Sequence, residues 1–292
     1  GDVFQLEPVV KNDEREILNR AYPTPYFFSA RVFSQIDLVS IELQKVYRQT
    51  DSVFVSVLDH IRTNTAGAAD LQLLNTRYGS HIEESEADMY ITLATRRDTV
   101  DSINEKKLAE LAGEPITFEG SIEGDFPESS LPTSQELVLK PGAQIIFIKN
   151  DFDRRWVNGT IGIVSGFDPI EETLYVITDD GKECDVKRES WRNIRYKYNE
   201  EKKQIEEEEL GTFTQYPVRL AWAITVHKSQ GLTFSRVVID FTGGVFAGGQ
   251  AYVALSRCTS LEGIQLRKPI SRADVFVRPE ITGFAERFNN RQ

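Results

Sequence analysis

This sequence is poor in sulfur and histidine: among 292 residues it has two cysteines, one methionine and three histidines. Two thiols, Cys184 and Cys258, can build neither a disulfide framework nor, alone, a zinc site, and they read as reduced. His60 and His81 lack metal-ligand spacing, so no metal site is expected. No stretch approaches the roughly 18 to 20 apolar residues of a membrane span. No charged-then-apolar leader marks secretion. Nowhere does Gly-x-x-x-x-Gly-Lys-[Ser/Thr] occur, which excludes a phosphate-cradling loop of that type within the sequence.

What is present describes a globular chain: 40% hydrophobic, 27% charged, net charge -11. The length suggests about two domains. An acidic balance argues weakly against a nucleic-acid partner, but net charge sums every face whereas a binding groove is local. Six acids between positions 200 and 209 (Glu200, Glu201, Glu206, Glu207, Glu208, Glu209) supply much of the excess and read as a solvated face or flexible connection. Position 1 is Gly and the single methionine is Met89, so a processed product or a fragment is expected.

Pro8, Pro23 and Pro25 predict irregular chain over residues 1–29. A short strand is expected over 38–43. Asp51 or Ser52 then caps a helix to about Thr63, with Phe54, Val57, Leu58 and Ile61 on one face. A second helix is expected over 70–78, a buried strand over 89–95 (MYITLAT) and a helix over 97–111 ended by Gly113. Strand followed by helix is α/β order. From about Ile116 a loop-rich bridge leads into short β segments over 143–149, 159–167, 173–178 and 183–187. Asn158-Gly159 and Asp180-Gly181 mark turns between them, which suggests a small barrel. Trp156 and Phe152 suit its core, or alternatively a docking surface. Residues 188–210 read as a charged connector. The α/β order returns with a helix over 218–230, a strand over 236–241, a helix over 249–257 and a strand over 263–266.

Four words carry chemistry. Thr225-Val226-His227-Lys228-Ser229-Gln230-Gly231 gathers donors at one helix end, suited to a phosphate or a nucleic-acid backbone. Tyr252-Val253-Ala254-Leu255-Ser256-Arg257 closes an uncharged stretch on one cation, which needs an anion or a structural carboxylate. Tyr47-Arg48-Gln49 precedes a helix, and Thr95-Arg96-Arg97 follows a strand. Each alone would be ordinary surface or an ordinary ion pair.

Together with the opening Gly-Asp-x-x-Gln-Leu, and in this order, these words resemble the superfamily-one DNA helicases, in the Pif-type and RecD-like branch that runs 5′ to 3′. The Leu-Ala-Trp-Ala-Ile-Thr lead-in, the Gly-Gln-Ala-Tyr-Val-Ala-Leu-Ser-Arg string and Ile103-Asn104-Glu105 after Thr95 favour the Pif type. The resemblance implies an α/β fold: a RecA-like second motor domain of the P-loop NTPase type, with an inserted small SH3-like β-barrel. It implies that 1–29 is the tail of a first RecA-like domain, 30–137 and 215–292 the two parts of the second, and 138–214 the barrel with its connector. Gln5, Arg48 and Arg257 are then catalytic, Arg257 as arginine finger. Lys228, Gln230 and Gly231 are expected at the nucleotide, and Thr95, Arg96, Asn104, Thr225, His227 and Ser229 at single-stranded DNA. Thr233 stands where some relatives carry a ribose-binding Glu.

The ligands implied are ATP and Mg2+, with the magnesium ligands expected on the missing first domain. Single-stranded and fork DNA are the expected partners, with the N-terminal RecA-like domain in cis, a monomer and no membrane. The expected compartment is the bacterial cytoplasm at the nucleoid, or a nucleus or mitochondrion. Without a phosphate loop the chain alone is expected to be inactive. The alternative is a non-catalytic module that binds single-stranded nucleic acid.

Overall fold

A helix needs an acceptor for its first free N–H groups and one face to bury. Residues 51–62 supply both. In the computed structural model of the chain the Asp51 carboxylate accepts from the Val53 N–H at 2.8 Å. The helix runs Ser52–Arg62 and buries Phe54, Val57, Leu58 and Ile61. The structure describes residues 1–10, 12–36, 41, 43, 45–80, 89–200 and 203–289, and the strand expected over 38–43 falls outside them. The chain divides into two units. One comprises Gly1–Glu83, Thr92–Thr99 and Ile224–Gln292, the other Glu84–Ile91 and Val100–Ala223.

The first unit is built on a four-stranded sheet, in the order Ala223–Thr225, Ile91–Ala94, Val237–Asp240, Ile264–Leu266. Its last two strands are parallel, with Val238 opposite Gln265. All four residues of Ile91–Ala94 are buried, Thr92 among them, as in a strand covered on both faces. The helix Ser52–Arg62 packs on the short helix Gln250–Leu255. Tyr26, Phe27, Phe28 and Phe33 collect with Phe284 of the helix Pro279–Asn289, the Phe28 and Phe284 rings stacking at 4.4 Å.

Two expectations fail here. The prolines of the opening segment do not bar a helix: Asn12–Ala21 is helical, and Pro8 and Pro23 lie beyond its ends. The segment 218–230 is not a helix. It forms the strands Val218–Leu220 and Ala223–Thr225 followed by turns. Two short extended pieces separated by Ala221-Trp222 shift the phase of an alternating pattern, so that Leu220, Ala223 and Ile224 mimic helical spacing.

The second unit holds an antiparallel five-stranded sheet, in the order Val218–Leu220, Gln144–Phe147, Ile161–Asp168, Thr173–Thr178, Glu183–Val186. Gly159 (φ 100°) and Gly181 (φ 79°) make the turns that the sequence marks. Phe147, Trp156, Val176 and Tyr216 are part of its buried core. The sheet is an open meander; no pairing among the described residues closes it into a barrel.

Phe118, Leu137 and Leu139 are buried in this β core and Leu108 and Leu111 pack against it, which assigns 100–137 to the second unit. The loop-rich bridge carries strands: Ile116–Glu119 pairs with Glu136–Leu139, and Ser121–Gly124 with Gln204–Gln215. The charged connector is a long hairpin of Glu189–Asn199 and Gln204–Gln215. Its acids are matched across the ladder: Arg195 and Lys197 reach Glu208 at 3.1 and 2.8 Å, and Arg192 meets Glu207 and Glu209. Opposite charges on neighbouring strands let a run that would repel itself in isolation lie extended. No described helix is long and apolar enough to cross a membrane.

Candidate functional site

The short helix Gln250–Leu255 starts after Gly249, whose backbone is left-handed (φ 75°). It ends at Ser256, and Arg257 follows. The Arg257 side chain is 1% exposed. Its Nε donates to the Val253 carbonyl at 3.0 Å, Nη1 to the Leu232 carbonyl at 3.2 Å and Nη2 to the Ser256 hydroxyl at 2.9 Å. All three acceptors are neutral oxygens, so no hydrogen-bonded carboxylate offsets the buried charge. Burial first, then the neighbouring Arg48 cation, pull its pKa down to about 10. It therefore remains cationic at pH 7.

Arg48 sits beside it. Nε donates to the Thr233 hydroxyl at 2.8 Å and Nη1 to the Ser256 carbonyl at 3.1 Å. Gln49 donates to the carbonyls of Ser256 and Cys258 at 3.1 and 2.7 Å. Thr233 thus gives Arg48 a neutral anchor rather than a counter-charge. Gln5 accepts from the Gln230 amide at 3.0 Å, which joins the opening word to the Thr225–Gly231 word.

A neighbouring cluster escaped the sequence reading. Arg62 holds the Asp2 carboxylate through Nε at 3.2 Å and Nη2 at 3.1 Å, and lies 4.5 Å over the Phe4 ring. Tyr252 lies in the same field. Burial, then the Asp2 carboxylate, push its hydroxyl up to about 12. The signal that was available is Arg62 in the last turn of an amphipathic helix, a position equally suited to the helix dipole.

The residues expected at DNA, with Lys228 and Gly231 expected at the nucleotide, fall into two groups. Arg96 is exposed and donates to the Gly243 carbonyl at 2.8 Å. Thr95 is buried, and its hydroxyl has no partner among the described residues. Lys228 is exposed, and its N–H donates to the Thr225 hydroxyl at 3.3 Å. Gly231 turns with φ 87°. The other group faces inward. Ser229 is fully buried and donates to the Val226 carbonyl at 2.8 Å. Asn104, in the second unit, is buried with both amide atoms on the Ala223 backbone, each at 2.9 Å. These two side chains are spent on bracing. The donors of 225–231 stand at a strand end and turn, so the helix-terminus argument for anion binding does not apply to them.

His227 stacks on Phe246 at 6.2 Å, and burial lowers its pKa. A depressed histidine pKa means that the unfolded chain takes up the proton first. The stability tied to His227 is then fully present above about pH 6.5 and lost as the pH falls below it. Urea unfolding should show a smaller drop in stability between pH 8 and pH 5 for His227→Phe than for the parent chain. An equal drop would mean that the imidazole is already solvated.

No protein-family model matches the chain. It is 34% identical over 277 residues to the human ATP-dependent DNA helicase PIF1, covering 91% of this chain and 39% of that protein. Among solved structures, Bacteroides sp. Pif1 in complex with ADP-AlF4 superposes with a TM-score of 0.83 at 37% identity, covering 100% of this chain and 66% of the other. Bacteroides Pif1 bound to ssDNA gives 0.75 at the same identity and coverage. The chain thus spans well under half of the human relative and about two thirds of the solved ones.

Proposed function

Because this chain belongs to the Pif1-type branch of the superfamily-one helicases, we propose that it is the C-terminal motor portion of an ATP-dependent 5′-to-3′ DNA helicase. The first unit, apart from residues 1–29, is the second RecA-like motor domain, and 1–29 is the tail of the first. The β-rich unit is the SH3-like accessory insertion, larger than 138–214. One observation carries this reading: Arg48 and Arg257, far apart in sequence, both hold Ser256.

Phosphoryl transfer is limited by positioning and charge, and a cation aimed at the transferring group is worth about 10³–10⁵ in rate. Arg257 is the finger and Arg48 its companion, while Gln5 senses the same phosphate and passes its state to Gln230. Lys228, Gln230 and Gly231 border the nucleotide; Thr225, His227, Thr95 and Arg96 track the backbone of single-stranded or fork DNA, largely without regard to sequence. Asn104 and Ser229 act behind them by fixing backbone. The Mg2+ that accompanies ATP takes its protein ligands from the first motor domain in this reading. The protein works as a monomer with that domain in cis.

The test is turnover. The purified 292-residue chain should bind single-stranded DNA with an affinity that falls as salt rises, and hydrolyse no ATP. A first motor domain bearing a phosphate loop should restore turnover. Arg257-dependent hydrolysis by the chain alone would overturn the reading. An upstream coding region without a phosphate loop would favour a non-catalytic binding module.

A further inference from the structure

Phe152 does not join the β core beside Trp156; it is 98% exposed. A phenyl ring left wholly in water forgoes a large apolar burial, yet the loop beneath it is firmly built. The Asp151 carboxylate accepts from Arg155 Nη2 at 2.7 Å, Nε at 3.0 Å and the Arg155 N–H at 3.0 Å. Arg155 also pairs with Asp185 at 3.0 Å and lies 4.7 Å over the Trp156 ring, which stacks on Phe147 in the core. The Asn158 N–H donates to the Asn150 side chain at 2.7 Å. Between these ties the tip 152–154 is held outward. Arg154 adopts a left-handed backbone (φ 60°), uncommon for a long side chain. It is exposed, and while its N–H donates to the Asp151 carbonyl at 3.2 Å, its guanidinium has no hydrogen bond or ion pair among the described residues.

We propose that Phe152 stacks on an unpaired nucleobase while Arg154 meets an adjoining phosphate, making this loop of the β-rich unit a second contact for single-stranded DNA. The proposal rests on the helicase reading above. A protein partner would need a contiguous apolar surface, whereas the neighbours of Phe152 in the chain are Asp151, Asp153, Arg154 and Arg155. One planar face beside one uncommitted cation suits a base and its phosphate. Arg155 neutralises Asp151, so Asp153 is the acid that opposes the phosphate. The contact is accordingly of modest strength and indifferent to base identity.

Binding of the full chain to an oligothymidylate and to an abasic backbone of equal length tests this. Phe152→Ala should weaken oligothymidylate binding about tenfold and leave abasic binding unchanged. Phe152→Trp should keep the affinity and show indole quenching with the oligothymidylate alone. Arg154→Ala should weaken both ligands and reduce the salt slope by about one. Equal effects of Phe152→Ala on both ligands, or none on either, would overturn the proposal. So would a lowered melting temperature in the absence of DNA, which would mean that the ring packs on protein. A parent chain that binds no single strand at all would sink the helicase reading as well; binding that is merely insensitive to Phe152 would sink only this inference.

Discussion

Replacing Arg257 by alanine, with the first motor domain restored, is expected to lower DNA-stimulated ATP turnover at least about 10²-fold, while affinity for single-stranded DNA changes little. The side chain is buried and cationic, and each of its nitrogens holds a different neutral oxygen: Val253 O, Leu232 O and Ser256 Oγ. A charge kept inside without a carboxylate at hydrogen-bonding distance is costly for folding alone. Aimed at a phosphate arriving from outside, it becomes electrostatic preorganisation. Arg257→Lys should not rescue turnover. An ammonium keeps the charge but cannot span three separate acceptors with a planar fork. Steady-state ATPase measured beside fluorescence-anisotropy binding decides the matter. A parallel fall in both would show that Arg257 serves DNA rather than nucleotide.

Gly249→Ala should be strongly damaging to folding. At φ 75° an alanine is already strained, and its Cβ would stand 2.3 Å from the Phe4 carbonyl and 2.4 Å from that of Gln5. Both obstacles are backbone, so neither can swing aside. The expected loss is about 3 kcal/mol or more, seen as a urea midpoint shifted well below that of the parent chain. Because the displaced segment carries Gln5, restored turnover should fall as well. An unchanged midpoint would show that the opening segment is not seated against the Gln250–Leu255 helix.

The elements that the sequence announces are those with redundant signals. The helix Ser52–Arg62 has a capping carboxylate and four apolar residues on one face. Ile91–Ala94 is a short apolar run before a helix. The hairpin Glu189–Asn199 with Gln204–Gln215 was illegible because its stability lies in pairing: Glu208 looks like self-repulsion until Arg195 and Lys197 are set opposite it. Residues 218–225 were misread because Ala221-Trp222 separates two three-residue strands and breaks their alternation. At the site, motif order drew attention to Arg48, Arg257, Gln5 and Gln230. It could not show that Asn104 is consumed by backbone, nor that Arg62 clasps Asp2, since each depends on a distant segment, and it missed the local turn in which Ser229 donates to the Val226 carbonyl.

Ser256 has a consequence of its own. Its carbonyl receives Arg48 and Gln49, and its hydroxyl receives Arg257. The two cations therefore share one footing, so a substitution that removes the Ser256 hydroxyl or shifts its carbonyl bears on the hold of Arg257 and of Arg48 alike.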